Sequence, residues 1–326
     1  MRVLKLLLSL VLGLMATTAY AAGLRFFEIP GDGRARPLAG AIWYPCNAPS
    51  QEIVVRDFTL FGVRDCPIGG DKLPLVVMSH GRGGWFGVHH ALAATIADAG
   101  FVVAAVDHPD HNSQDRGRID ALSTLLERPN DLKRLIDFAH DGWMGATRLD
   151  RNRVGIFGFS LGGYTALVAI GGDPDFRPDL PGCDKSDFLA CEQLRNGEAT
   201  SRPAGSDERI RAAIVVDPGP SIFFSSDRLK SIKVPIQLWS SDPKLSANFV
   251  SGCCALGLRS RLPVVPEFHL VSNGIHFSFL PPCSEALRKN LPSRLCDDAP
   301  GFDRAAFHED FKNKVIAFLR KHLPNP

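Results

Sequence analysis

Arg153-Val154-Gly155-Ile156-Phe157-Gly158-Phe159-Ser160-Leu161-Gly162-Gly163 runs from a largely apolar segment into a glycine-flanked serine. Residues 153–158, apolar after Arg153, predict a buried strand, and Leu161 to Ile170 read as a helix. Between them, Gly158-Phe159-Ser160-Leu161-Gly162 fits G-x-S-x-G, the pattern of a nucleophile elbow. Such an elbow lifts the serine above the sheet on a strained turn, and glycines let neighbouring backbone approach without a Cβ clash. Ser160 is therefore the candidate nucleophile.

Outward from the elbow, short apolar runs alternate with longer helical patterns. That rhythm predicts an α/β fold, a mainly parallel central sheet covered by helices on both faces. Leu24 to Tyr44 reads as two strands around a turn at Gly31-Asp32-Gly33. Leu75–Met78 is a buried strand, followed by a helix over Val88–Ala99 and a strand over Phe101–Val106. A polar loop from Asp107 to Arg118 leads to a helix expected around Leu132 to Trp143. Strands are expected at Ala212–Val216, Pro235–Trp239 and Glu267–Val271. The apolar positions Phe307, Phe311, Val315, Phe318 and Leu319 define one face of a closing helix. Residues 172–208 break the rhythm and are expected to form a small lid-like insertion.

A hydroxyl nucleophile needs an oxyanion hole, usually two backbone N–H groups. The residue after the nucleophile, Leu161, is expected to supply one. Ser79-His80-Gly81-Arg82-Gly83-Gly84 follows the Leu75–Met78 strand, where the second donor belongs, and Arg82 is expected to supply it.

The elbow, the His80-Gly81 loop and the order Ser…Asp…His together resemble the α/β-hydrolases. Within them the chain resembles the bacterial dienelactone-hydrolase-like group related to the plasma-type platelet-activating-factor acetylhydrolases. Further resemblances are Ile42-Trp43-Tyr44-Pro45, Val106-Asp107-His108-Pro109 and His276-Phe277-Ser278-Phe279-Leu280-Pro281-Pro282-Cys283. True dienelactone hydrolases are similar in fold but carry a cysteine where Ser160 stands. The resemblance implies that the base follows the last strand, which points to His276; His269, inside that strand, is expected to be structural. Two acids could orient His276. Asp242 follows the Pro235–Trp239 strand, where most members of the fold carry the acid, and is preferred. Asp217 ends the preceding strand, at the place resembling the acetylhydrolase acid, and is the alternative.

Of the 326 residues, 45% are hydrophobic, enough for one large core. Residues 1–21 read as a secretory signal peptide: a basic start, an apolar run from Leu6 to Met15, and Ala19-Tyr20-Ala21 for cleavage. The apolar run is too short to span a bilayer comfortably, so no membrane insertion is expected after cleavage. The catalytic domain would then occupy 22–326. Cleavage removes Arg2 and Lys5, taking Lys+Arg from 37 to 35 against 35 Asp+Glu. A neutral chain without blocks of like charge argues against a nucleic-acid partner.

All eight cysteines lie beyond the signal segment, and an even count in an exported chain favours disulfides. Local pairs Cys46–Cys66, Cys183–Cys191 and Cys283–Cys296 are the simplest arrangement, with Cys253 and Cys254 left open. Asp107-His108-Pro109-Asp110-His111 and the adjacent His89 and His90 match no short metal motif. No metal or other cofactor is expected; His108 and His89 are read as lining the pocket or satisfying loop backbone. The expected chemistry is two-step acyl transfer to water from a small-molecule ester of short to medium acyl chain. Amide, peptide or polyester cleavage by the same triad, and a silent binding member of the fold, are the other readings.

Overall fold

The computed structural model describes residues 22–33, 35–56, 58–184, 186, 188–199, 201–246 and 255–324. The signal segment and Cys253 and Cys254 lie outside them. Among the described residues ten strands form one sheet: β1 Gly23–Ile29, β2 Leu38–Tyr44, β3 Gln51–Val55, β4 Phe58–Arg64, β5 Leu73–Ser79, β6 Val102–Val106, β7 Leu149–Phe159, β8 Ile210–Val216, β9 Ile236–Ser241 and β10 Glu267–Val271. Their order is β10-β9-β8-β7-β5-β6-β2-β1-β4-β3. The run from β6 to β10 is parallel, while β1 and β2 continue it antiparallel. Every side chain of β5 and β6 is buried, as expected for a sheet covered on both faces.

The chain leaves β5 toward β6 on one side and returns to β7 on the other. This reversal opens a crevice at the carboxyl ends of β5 and β7, the usual ligand position in open parallel sheets. Both candidate loops, 79–84 and 158–163, emerge there.

One face of the sheet carries the helices α1 His90–Asp98 and α5 Arg304–His322, whose buried Ile96, Phe311, Val315 and Leu319 share a core with Val76 and Phe157. The other face carries α2 Leu122–Asp137 and α3 Leu161–Ala169, packed with Leu132, Leu135, Tyr164 and Leu167.

Helix α2 begins ten residues before the expected Leu132 and ends before Trp143, its last turn giving way to a π turn over Phe138–Gly142. Pro129 hid its first half. Proline removes one helical N–H and normally leaves the carbonyl four residues back unbonded. Here that carbonyl, Leu125 O, accepts from the Tyr164 hydroxyl at 3.3 Å, so α3 satisfies the defect in α2. The β3–β4 hairpin is a second feature that apolar runs did not disclose.

Residues 172–208 contain a short helix, α4 Leu189–Arg195. Leu180, Cys183, Ala190, Cys191 and Leu194 are buried in the same core as α2 and α3. Gln193 Oε1 accepts the Leu122 amide at 2.7 Å, and Phe176 meets Phe223 edge-on. The insertion is thus anchored in the core through residues 176–194, while most of 195–208 is exposed. The disulfides Cys46–Cys66, Cys183–Cys191 and Cys283–Cys296 are the three expected pairs.

Candidate active site

Ser160 stands between β7 and α3 with φ 55° and ψ −118°, a conformation that costs free energy for any L-residue. Its surroundings hold it there. The Ser160 amide donates to Val216 O at 2.9 Å, while its carbonyl accepts the Gly163, Gly219 and Tyr164 amides at 2.8, 3.1 and 3.2 Å. The turn is so tight that a Cβ on Gly158 would lie 2.1 Å from Gly162 O, and one on Gly162 would lie 1.9 Å from Ser79 O. These two positions admit glycine alone.

His276 sits in a single 3₁₀ turn, His276–Phe279, shortly after β10. Its Nε2 lies 3.0 Å from Ser160 Oγ and its Nδ1 2.6 Å from Asp217 Oδ2. A carboxylate can only accept, so the tautomer with its proton on Nδ1 fits this contact. Nε2 is left as the acceptor for the Ser160 hydroxyl. Phe159 stacks on the imidazole at 4.8 Å, and His276 is 2% exposed. Asp217 follows β8 with a left-handed φ of 42° and is fully buried. Its carboxylate also accepts the Ser241 amide at 3.1 Å and hydroxyl at 2.7 Å.

The preferred acid, Asp242, does not reach His276. The geometry places the alternative, Asp217, there instead. Asp242 is partly exposed, and its carboxylate accepts the Lys244 amide at 3.0 Å and the Asn273 amide at 3.1 Å. The Asn273 and Lys244 amides hold this carboxyl below the usual carboxylate range. Its own amide donates to Gly274 O at 2.8 Å. Asp242 therefore fastens the loop that leads to His276. From the far side, the Ile275 amide donates to Ser278 Oγ, which donates to Asp298 Oδ1; Arg304 pairs with Asp298. Cys283–Cys296 staples the same region.

The loop after β5 crosses Ser160. A Cβ on Gly81 would stand 3.2 Å from Ser160 Cβ. Gly81 O accepts the Gly84 amide at 3.1 Å in a tight turn, with Gly83 at φ 64°, and His80 Nδ1 lies 2.7 Å from the same oxygen. In a trans peptide the N–H points opposite the C=O, so these bonds direct the Arg82 N–H away from the His80 ring. The Arg82 side chain turns outward to pair with Asp120. Leu161 opens α3, where the first amides have no intrahelical partner.

The remaining histidines do other work. His269 stacks on Trp239 at 4.1 Å and pairs with Glu267. His89 meets Phe157 and Phe159 edge-on, and burial pushes it down to about 3. His108 is fully buried behind the loop, bonded to side chains rather than to loop backbone. Among the described residues no group of His, Cys, Asp or Glu is arranged to hold a metal ion. No helix among them is long and apolar enough to cross a membrane.

A mainly parallel sheet with an elbow at its reversal point is the α/β-hydrolase fold. A solved structure, a ferulic acid esterase from Streptomyces cinnamoneus, matches with a TM-score of 0.63 over 95% of this chain and 93% of its own, at 20% identity. Within that class, residues 65–118 match the family model of platelet-activating factor acetylhydrolase, isoform II. Platelet-activating factor acetylhydrolase of Cavia porcellus is 28% identical over 148 residues, 33% of this chain and 34% of that protein. Those of Canis lupus familiaris and Bos taurus are each 27% identical over 153 residues. The similarity to the acetylhydrolases thus spans about a third of their length.

Proposed function

We propose that this protein is an exported serine hydrolase that cleaves carboxylic esters of short to medium acyl chain through an acyl-enzyme. The observation that carries the reading is the unbroken chain from Ser160 Oγ through His276 to buried Asp217, at 3.0 and 2.6 Å. In the first step His276 Nε2 takes the Ser160 proton as Oγ attacks the ester carbonyl carbon. The carbonyl oxygen becomes an oxyanion held by the Leu161 and Arg82 amides. Imidazolium, stabilised by Asp217, returns the proton to the alcohol as the C–O bond breaks. Water repeats the cycle and releases the carboxylic acid. Three disulfides support an oxidising compartment for the mature chain.

An assay on p-nitrophenyl esters from acetate to palmitate tests the reading. Activity should peak at the shorter esters and vanish in Ser160→Ala, which should remain folded. A serine-reactive phosphonate should label the parent at one site and the variant at none. Turnover retained in Ser160→Ala would sink the mechanism. Cleavage confined to anilides or polyesters would transfer it to the amide or polyester reading.

A further inference from the structure

A second serine–histidine–aspartate chain lies behind the oxyanion loop, and the mechanism above does not use it. Ser79 Oγ lies 3.0 Å from His108 Nε2, and His108 Nδ1 lies 2.8 Å from Asp131 Oδ2. Arg128, on the same turn of α2 as Asp131, points its Nη2 at Ser79 Oγ (3.1 Å) and at the His80 carbonyl. Ser79, His108 and Arg128 are each fully buried, so no substrate reaches this serine. With Asp131 ionised, the donors and acceptors interlock: Arg128 donates to Ser79 Oγ, Ser79 donates to His108, and His108 donates to Asp131.

Burying a guanidinium without a carboxylate in contact is costly. Among the described residues no carboxylate is in contact with Arg128, Asp131 acting on it only through space, and its Nε and Nη1 have no hydrogen-bond partner there. Burial pulls the guanidinium down to about 9, which still leaves it cationic at neutral pH. Its hydrogen bonds go to the two residues that begin the loop over Ser160. The His108 backbone amide meets His80 Nε2 at 3.3 Å, and the opposite ring nitrogen of His80 faces Gly81 O. Arg128, Ser79 and His108 thereby fix residues 79, 80 and 81 in series, and the last of these peptide planes carries the Arg82 N–H.

We propose that Arg128, with Ser79, His108 and Asp131, is a buried clamp that positions the oxyanion loop and sets the rate of acyl transfer rather than substrate affinity. These are positioning residues, and the proposal rests on the serine-esterase reading above. An amide held in place should matter most where charge develops, in the transition state.

The test compares Arg128→Met, Arg128→Lys and Ser79→Ala with the parent on p-nitrophenyl acetate. It also measures the inhibition constant of phenylboronic acid, whose tetrahedral adduct on Ser160 fills the oxyanion site. Near-UV circular dichroism establishes that each variant is folded. In folded Arg128→Met, kcat should fall about 100-fold, in the range of a lost oxyanion donor. KM should stay within about threefold, and boronate affinity should fall with kcat. Arg128→Lys should fall between parent and Met. Ser79→Ala, which removes one hydroxyl, should show a smaller loss of the same kind and serves if Arg128→Met does not fold. Parental kcat in any folded Arg128 or Ser79 variant, or loss of kcat with unchanged boronate affinity, would overturn the clamp. Failure of the esterase reading is separable: the parent itself would then show no boronate inhibition, and Ser160→Ala would keep its turnover.

Discussion

Asp217 reaches His276 across 59 positions of sequence, its Oδ2 lying 2.6 Å from Nδ1, from the end of the strand adjacent to the one that leads into Ser160. β8 pairs directly with β7, whereas Asp242 lies one strand farther out, after β9. Asp217→Asn should leave the fold intact and lower kcat by several orders of magnitude, about 10⁴ by analogy with the triad aspartate of a serine protease. Asp242→Asn loses part of its hold on the Asn273 and Lys244 amides and should cost at most about tenfold in kcat, by loosening the His276 loop. Steady-state kinetics of the two variants decide the matter. The reverse ranking would return the role to Asp242.

The fold and the elbow were legible because they rest on local signals: apolar runs for buried strands, and glycines at 158 and 162 where any Cβ would strike backbone. The choice between Asp217 and Asp242 was not legible. Both follow strands, both precede His276, and only the lateral order of strands separates them. The first half of α2 was concealed by Pro129, whose freed carbonyl, on Leu125, is met by a hydroxyl 39 positions farther along the chain. The clamp shares that obscurity. Ser79, His108, Arg128 and Asp131 come from a strand end, a loop and a helix, and no short motif joins them. The β3–β4 hairpin lies at the sheet edge, where Val54 and Phe61 remain exposed and no long apolar run marks the strands.

Substitution at the elbow should be all-or-none. A Cβ at Gly162 would meet Ser79 O at 1.9 Å and His80 O at 2.9 Å, both backbone atoms that cannot swing aside. Gly162→Ala should therefore destabilise by at least about 4 kcal/mol, the scale of severe single substitutions, or yield no folded protein. Gly205→Ala, with nothing within 4 Å, should be neutral within about 0.5 kcal/mol. Urea unfolding of both measures the contrast. A stable, active Gly162→Ala would refute the close approach of β5 to α3.

Acid should destabilise the protein through histidines buried in their neutral form. Burial holds His89 at about 3, with repulsion from His308 and His90 adding to it; burial holds His308 at about 4. Below the ordinary value near 6.5 the unfolded chain binds protons that the native state refuses, so stability falls as pH falls. The contribution is fully present above about 6.5 and declines down to about 3 for His89. Each such histidine adds a slope of about 1.4 kcal/mol per pH unit within its window. His89→Asn should reduce the slope of unfolding free energy between pH 6 and 4 by about that amount. Denaturant titrations at a series of pH values read it directly, and an unchanged slope would mean that His89 is protonated in the native state.

Part of the 172–208 insertion is tied into the core, which leaves a hinged lid little room to swing. Leu180, Ala190 and Leu194 are buried in the core that also holds Tyr164, one turn beyond Ser160, and Gln193 bonds the first amide of α2. Wholesale replacement of residues 174–205 by a Gly-Ser linker would strip these side chains from the core and should cost cooperative folding. The sharper test is the double variant Cys183→Ala/Cys191→Ala. It keeps the chain and removes a staple that closes a short ring across eight positions of sequence, worth about 2–3 kcal/mol on the loop-entropy account. A loosened insertion should admit larger acyl groups. The ratio of kcat/KM for p-nitrophenyl octanoate to that for the acetate should therefore rise severalfold, while the acetate rate itself changes little. If thermal stability drops and this ratio stays constant, the insertion supports the core and takes no part in choosing the acyl chain.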